Sequence, residues 1–208
     1  MITPMKVRLA LVAWCLGVAS SIVGQTLTVG PNPSTANSSG GGSGVSTYVD
    51  LTVPANANGT ATSATFRWAA TPCLGDVEIK FFHRSGNTLT MYAQRGPFGV
   101  SPTLNTTVAL TPPVSVQAGD LIGIAQLTGC GNATALAGTG PSPGYLLFSG
   151  DVTGSVTTTS GTAFPNTLLA VGGSGVAVSG PTIPALSPWA LALLALVFAM
   201  TGYFVLRR

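Results

Sequence analysis

Catalysis by the usual routes needs a base and a nucleophile brought together, and this 208-residue sequence contains one histidine, His83. His83 shares the two-residue alternation of three apolar residues, Val77, Ile79 and Phe81, on a predicted strand. That alternation directs the imidazole toward the core side or toward the end of the strand. The pattern therefore favours a structural histidine over a catalytic one.

The carboxylates are the second group of residues that could do chemistry. Asp76 and Glu78 lie on one face of the predicted strand beside Lys80, which is typical of a solvated row of charges rather than an acid and base pair. A glycosidase needs two carboxylates that face each other across a bond. Asp120 and Asp151 each follow a glycine and are predicted to cap turns, with one Ca²⁺ held by such loop carboxylates as the open alternative.

One serine lies in a segment that has the form of a nucleophile motif. Residues 140–144 read Gly-Pro-Ser-Pro-Gly and match G-x-S-x-G. A nucleophile elbow requires a strand that turns into a helix at the serine, and proline on both sides of Ser142 opposes that geometry. The segment is predicted to be a loop. From the sequence we therefore expect a protein that has no catalytic residue, binds no cofactor and is not an enzyme.

The cysteines offer one covalent link. Cys15 falls in the N-terminal apolar stretch, which leaves Cys73 and Cys130 as a pair for a disulfide in an oxidising compartment. Closing that loop would stabilise the fold by roughly 4 kcal/mol. Two free buried thiols are the alternative. A zinc site built from this pair and His83 has the wrong ligand spacing.

The distribution of charged residues argues against nucleic acid as a partner. Charged residues make up 6% of the chain, and its net charge of +3 arises from the two ends, which carry four of the eight bases and no acid. The middle carries four bases and five acids and is nearly neutral: Arg67, Lys80, Arg84 and Arg95 against Asp50, Asp76, Glu78, Asp120 and Asp151. No basic face is available for phosphates, so nucleic-acid binding is not expected.

The elements that position these residues are predicted to be strands. Apolar residues alternate with polar ones, Gly and Pro punctuate the chain at short intervals, and no amphipathic helix interrupts the pattern. The predicted strands are 46–53, 61–68, 76–84, 88–94, 103–110, 113–117, 121–127, 145–148 and 167–178. We expect an all-β, antiparallel β-sandwich over 46–180, jelly-roll-like rather than immunoglobulin-like. Residues 113–124, a strand, an Ala-Gly-Asp turn at 118–120 and a second strand, resemble a stretch common in jelly-roll domains.

Aromatic residues divide between core and surface. Phe66 and Trp68 alternate with Arg67, which predicts that both rings lie in the core and that the guanidinium lies outside. Four other rings could form a stacking surface for sugars: Tyr48, Tyr92, Phe98 and Tyr145. Singly exposed aromatics need no function, so this platform is the alternative rather than the main expectation.

The N-terminal residues form a predicted export signal. Lys6 and Arg8 precede the apolar run 9–19, and small residues follow, which is the order of a signal peptide over residues 1–24. An uncleaved anchor is the alternative, although the run is short for a membrane span. Residues 25–45 are rich in Gly and Ser and are predicted to be a flexible lead-in.

The C-terminal segment 181–208 contains a predicted membrane span. Residues 189–206 carry no charge and as a helix would extend roughly 27 Å, enough to cross the hydrocarbon layer. Arg207 and Arg208 follow at once. A terminal pair of arginines favours the cytoplasmic side, which places the preceding domain outside the cytoplasm.

A short motif precedes this helix and consists of Ile183, Pro184, Ala185, Leu186, Ser187, Pro188 and Trp189. Motif, helix and basic end together resemble the IPTL-CTERM sorting tail, a relative of the PEP-CTERM signals processed by exosortase-type membrane proteases in Gram-negative bacteria. The chain departs from the usual motif at Ala185, Pro188 and Ala190, where Thr, Glu and Gly are typical. The alternatives are a plain single-span anchor and a GPI signal, which normally ends apolar.

The resemblance implies an exported protein sorted at the envelope of a Gram-negative bacterium, with an exosortase-like protease as partner. For the domain itself, the absence of catalytic groups favours a structural or interaction role at the cell surface. The alternative is a carbohydrate-binding module that contacts glycans or other envelope polymers.

Overall fold

The computed structural model describes residues 25–31, 33, 38–39, 44–68, 73–100, 105–127, 134–137 and 142–178. These residues form strands connected by turns, including a 3-10 turn at Thr158–Ser160. The strands are β1 Thr26–Val29, β2 Ser38–Ser39, β3 Ser46–Asp50, β4 Gly59–Arg67, β5 Cys73–Ser85, β6 Thr88–Val100, β7 Asn105–Val116, β8 Leu121–Gln126, β9 Thr134–Ala137, β10 Tyr145–Ser149, β11 Ser155–Thr157, β12 Thr162–Phe164, β13 Thr167–Leu169 and β14 Val171–Ala177.

These strands form three antiparallel sheets. Sheet I has the order β1-β14-β4-β7, and sheet II has the order β11-β6-β5-β8-β3-β10-β12. A small third sheet has the order β13-β9-β2. Every described pairing is antiparallel, so the predicted all-β antiparallel class is confirmed.

Sheets I and II share one hydrophobic core. Phe66 of β4 and the following Trp68 are fully buried there, as the sequence predicts. Sheet II contributes alternate residues of its central strands, including Ile79 of β5 and Ile124 of β8, which lie directly across from each other. The alternation of a strand thus delivers one side chain in two to the space between the sheets.

The other face of sheet II is also covered. A second cluster of buried apolar side chains lies there and contains Val49, Leu51, Phe82, Leu89, Leu121, Leu146, Phe148 and Val152. The prediction that Asp76, Glu78 and Lys80 form a solvated row is therefore wrong for two of the three. Lys80 is 0% exposed and Glu78 is 8% exposed, because residues around Val152 lie over this face.

Local turns follow their residue types. Gly86 and Asn87 form the predicted turn between β5 and β6, and Gly86 adopts a φ of +57°, which glycine tolerates without steric cost. Strand β1 falls inside the segment 25–45 that the sequence predicts to be flexible, and it pairs with β14 along its whole length. Its alternating Leu27 and Val29 are fully buried, which attaches this part of the chain to the core.

Within the part of the chain that the structure describes, no helix has the length and apolar character needed for a membrane span. The predicted signal peptide at 1–24 and the predicted span at 189–206 lie outside the described residues.

Replacing Phe66 with alanine should lower the free energy of unfolding by about 3 to 5 kcal/mol, because a fully buried ring is removed from the shared core. Urea unfolding of both proteins measures this difference. Val176→Ala on β14 is the matched control, since Val176 is 64% exposed and its truncation should change stability by less than about 0.5 kcal/mol. Equal effects of the two changes would contradict the placement of the core.

Candidate functional site

Asp120 organises the turn between β7 and β8. Its Oδ2 accepts a hydrogen bond from the Gln117 amide at 2.8 Å, and its own amide donates to the Gln117 carbonyl at 3.0 Å. Gly119 within the turn has a φ of +94°. The prediction that Asp120 caps a turn is confirmed. Asp120 is nonetheless buried, so its carboxylate accepts hydrogen bonds inside the fold and not at the surface.

Two ring side chains converge on the same carboxylate. Tyr92 donates its hydroxyl proton to Asp120 Oδ2 at 2.8 Å, and His83 Nδ1 lies 2.6 Å from Asp120 Oδ1. The imidazole and phenol rings stack with centroids 4.0 Å apart. Burial, then the hydrogen bond and the charge of Asp120, raise the pKa of Tyr92 well above its usual range.

This Asp-His pair is half of the arrangement used in nucleophilic catalysis, in which the imidazole also contacts a hydroxyl or thiol. In the described ranges no such group forms a hydrogen bond with His83, whose side chain is 43% exposed. His83 instead joins β5 to the turn before β8, with Tyr92 of β6 stacked against it. The geometry is that of a structural link between three strands.

A second cluster surrounds the amine of Lys80 on the covered face of sheet II. Lys80 Nζ lies 2.7 Å from Asp151 Oδ1 and 3.2 Å from Glu78 Oε2. It also donates hydrogen bonds to Gln94 Oε1 and to the Val152 carbonyl, both at 3.1 Å. Four oxygens therefore surround an amine that is 0% exposed. An ammonium has three N–H donors, and Glu78 Oε2 is the oxygen left with an ion-pair contact and no hydrogen bond.

The loop that carries Asp151 is fixed on both sides of that residue. The fully buried Thr47 donates its hydroxyl proton to the Gly150 carbonyl at 3.0 Å and accepts the Val152 amide at 3.0 Å. The Gly150 amide donates to the Val45 carbonyl at 2.9 Å. Asp151, predicted to cap a turn, is instead held against Lys80 with 32% of its side chain exposed.

The four rings that the sequence left as an alternative sugar-stacking platform do not form one. Tyr48 and Tyr145 are buried in the core, and Tyr92 and Phe98 are half-buried against it. The Tyr145 ring stacks on Phe164 with centroids 4.7 Å apart. Burial and the neighbouring Tyr48 raise the pKa of Tyr145 to about 12. These aromatics fill space inside the fold and leave no exposed row of rings.

Asp50 is a further buried acid, and its carboxylate accepts hydrogen bonds from two other parts of the chain. Its Oδ1 accepts hydrogen bonds from both the amide and hydroxyl of Thr52 and from the Val53 amide, and its Oδ2 accepts the Leu169 amide. Burial raises the pKa of Asp50 above its ordinary value, although these hydrogen bonds act in the opposite direction. The residue ends β3 and ties it to β13.

The outer face of sheet I has a different character. Its exposed hydroxyls pair across strands: Ser63 with Ser174 at 2.8 Å and Thr65 with Thr107 at 2.9 Å. A groove of about 290 Å³ lies beside them, which we call the sheet I groove. Hydroxyl, proline and glycine residues line it and none is charged: Thr28, Gly30, Pro31, Pro33, Thr65, Gly172, Gly173 and Ser174.

Several predicted site residues lie outside the described residues. They are Cys130, the motif residues Ile183, Pro184, Ala185, Leu186, Ser187, Pro188 and Trp189, and the terminal Arg207 and Arg208. The backbone of Cys73 begins β5 across from Val100. The Cys73–Cys130 disulfide therefore stays a prediction. In the described part of the chain no three His, Cys, Asp or Glu residues group as metal ligands. Both Asp120 and Asp151, the predicted alternatives for Ca²⁺, contact protein groups instead.

Residues 182–208 match the IPTL-CTERM motif, which confirms the resemblance seen at 183–189. The motif indicates an exported protein that is sorted at the cell envelope, and it is consistent with processing by an exosortase-type protease. No curated protein and no solved structure matches the chain. The comparison thus defines the tail and leaves the function of the β domain to its own geometry.

Replacing Asp120 with alanine should lower the free energy of unfolding by about 2 to 4 kcal/mol, because the Gln117 amide and the Tyr92 hydroxyl lose a buried acceptor. Thermal or urea unfolding measures the loss. His83→Gln is the control and should cost about 1 kcal/mol or less, because water reaches the half-exposed side chain and replaces the lost contact. A larger loss for the histidine change would show that His83, not Asp120, holds the turn.

Proposed function

We propose that this chain is an exported structural or interaction protein of the cell envelope, whose C-terminal signal delivers the β domain to the outside of the cytoplasmic membrane. The observation that carries the proposal is the IPTL-CTERM motif at 182–208, attached to a nearly all-β domain with few charges. The cell is a Gram-negative bacterium. In this proposal the predicted leader 1–24 starts export, and the predicted helix at 189–206 holds the chain in the membrane with Arg207 and Arg208 in the cytoplasm.

The β domain is proposed to be a sandwich of jelly-roll type. The strand orders support this topology, because the first and last strands, β1 and β14, are neighbours in sheet I, and β4 and β7 extend that sheet. The strands between them, β3, β5, β6 and β8, are adjacent in sheet II. The chain thus crosses repeatedly from one sheet to the other, as two interleaved Greek keys do.

The domain is proposed to act without catalysis. Several of the described acids and bases are engaged with one another or with the backbone: Asp50 and Asp120 accept hydrogen bonds within turns, and Lys80 contacts Glu78 and Asp151. Such contacts fasten strands together. They support a role as scaffold or as a surface for other envelope components.

Removing residues 182–208 should convert a membrane-attached protein into one that leaves the cytoplasmic membrane. Fractionation of cells that produce the full chain or the truncated chain, each with an epitope tag after the leader, measures this change. Protease added to spheroplasts should digest the domain of the full chain, because the domain lies outside.

A variant with alanines at 183–186 and an intact helix is the matched control for processing. If an exosortase-type protease reads the motif, this variant should remain as the longer membrane form. A full chain that stays in the cytoplasm and resists added protease would overturn the proposal of export. Normal processing of the alanine variant would overturn only the role of the motif.

A second candidate function is binding of neutral glycans in the sheet I groove. The groove offers hydroxyl groups from Thr28, Thr65 and Ser174, apolar proline faces, and no charge. The Thr65 and Ser174 hydroxyls each keep hydrogen-bonding capacity beyond their contacts with Thr107 and Ser63, which suits a ligand made of hydroxyl groups. The volume of about 290 Å³ is at the lower end of ligand pockets and would hold one or two sugar units of a polymer.

Thr28→Arg should abolish glycan binding, because a long charged side chain enters the groove, whereas Thr26→Arg on the same exposed face of β1 should leave it intact. A glycan array probed with each full-length protein in detergent, with and without Ca²⁺, measures this. Absence of binding by the unmodified chain would remove the glycan hypothesis and leave the scaffold role.

A further inference from the structure

The cluster around Lys80 places a buried amine between two carboxylates, those of Asp151 and Glu78. These groups could react with one another. We propose that Lys80 and Asp151 condense into an intramolecular isopeptide bond, with Glu78 as the group that carries the proton between them. The inference concerns the covalent state of the folded domain. It does not depend on the proposed export or on the glycan site.

The contacts hold the reacting groups together before any reaction. Lys80 Nζ lies 2.7 Å from Asp151 Oδ1, which is the contact distance of a charge-assisted hydrogen bond. Glu78 Oε2 lies 3.2 Å from the same nitrogen, forms no hydrogen bond and belongs to a side chain that is 10% exposed. A buried carboxylate oxygen without a hydrogen-bond partner is free to accept a proton from that nitrogen.

The fold positions both reactants rigidly. Lys80 is on β5, an interior strand of sheet II, and hydrogen bonds to Gln94 Oε1 and the Val152 carbonyl orient its amine. Thr47 fastens the backbone on either side of Asp151. Effective molarities for well-oriented intramolecular groups reach on the order of 10⁵ to 10⁸ M. An amine and a carboxylic acid that are free in water lack this advantage, so they do not condense readily.

The environment favours the product. The amine is 0% exposed beside an apolar cluster that includes Phe82 and Val152, where separated charges are poorly solvated. Condensation replaces an ammonium and a carboxylate by one neutral amide. Asp151 remains 32% exposed, which provides a route by which the released water leaves.

The step balances without an added reagent. A proton passes from the Lys80 ammonium to the Asp151 carboxylate, giving an amine and a carboxylic acid. The nitrogen lone pair then attacks Asp151 Cγ, and the new C–N bond gives a tetrahedral intermediate. Glu78 takes one proton from that nitrogen and delivers it to the hydroxyl of the intermediate. The Cγ–O bond breaks, its electron pair leaves with the oxygen as water, and Glu78 returns to its starting form.

The product would tie the centre of sheet II to the segment that covers it. Lys80 belongs to β5 and Asp151 lies between β10 and β11, and the apolar side chains of Val152 and Val156 next to it pack on the same face. One turnover per chain releases only water, so the reaction belongs to maturation of the domain and not to processing of a substrate.

Mass spectrometry of the purified full-length chain tests the proposal. We expect the intact protein to be lighter than its sequence by one water molecule, after allowing for leader removal and for oxidation of cysteines. Protease digestion should give a branched peptide that joins Lys80 to Asp151, with neither residue found in its ordinary linear peptide. Boiling in denaturant and reductant should leave this bond intact.

Four variants separate the roles of the three residues. Lys80→Arg and Glu78→Gln should each retain the full mass, since the first lacks the nucleophilic amine and the second cannot carry the proton. Asp151→Asn should form the same amide with loss of ammonia in place of water. Arg84→Gln, an exposed change on the same strand, is the control and should retain the loss of water.

The mass of the wild-type chain tests the proposal even if a variant fails to fold. A folded wild-type protein at its full calculated mass, with Lys80 and Asp151 in separate linear peptides, would show an ordinary buried ion pair only and would overturn the proposal. Loss of water that persists in Glu78→Gln would overturn the role of Glu78 alone. In a folded Glu78→Gln chain, the melting temperature should fall on the order of 10 °C, because a long loop is no longer closed.

Discussion

Sheet II carries apolar side chains on both of its faces, and each face must be kept from water. Sheet I covers one face and shares a core with it that contains Phe66, Ile79 and Ile124. The segment after β10 covers the other and places Val152 on it. This second cover explains why charged residues of β5 are buried: Lys80 lies beneath the segment, and Asp151 on that segment supplies the charge that a buried amine requires.

Much of the fold could be predicted from local patterns. The alternation in β5, the Gly-Asn turn at 86–87 and the turn at Asp120 depend on neighbouring residues and are found where the sequence places them. The cover on sheet II depends on contacts between residues that are distant in the chain. Lys80 and Val152 are 72 positions apart, and Thr47 and Val152 are 105 positions apart. One signal was available: Phe82 shares the parity of Glu78 and Lys80, and an aromatic residue is out of place on a solvated face.

The polar clusters were less predictable for the same physical reason. Each joins a base on β5 to an acid in a turn or loop that is distant in the sequence, so no spacing in the sequence reveals the set. His83 and Asp120 are 37 residues apart, yet pairing of β5 with β8 brings them together. The alternation of apolar and polar residues in β5 predicts the face of the strand on which His83 lies. It does not predict that Asp120 contacts the imidazole. The strand β8 did carry a signal, since Leu121–Gln126 reads as a nearly continuous apolar run, typical of a strand buried on both faces.

A chain with 6% charged residues has few charges with which to stay soluble or to act on a substrate, and several of them are buried. Buried ion pairs contribute little net stability, because desolvation of both charges offsets their attraction. Replacing the Lys80–Asp151 pair by well-packed apolar residues would therefore cost little if attraction alone were its role. A covalent bond changes that comparison, because it removes the buried charges and also limits the freedom of the unfolded chain. A protein exposed outside the cytoplasm, where unfolding invites proteolysis, gains more from such a bond than from the ion pair it replaces.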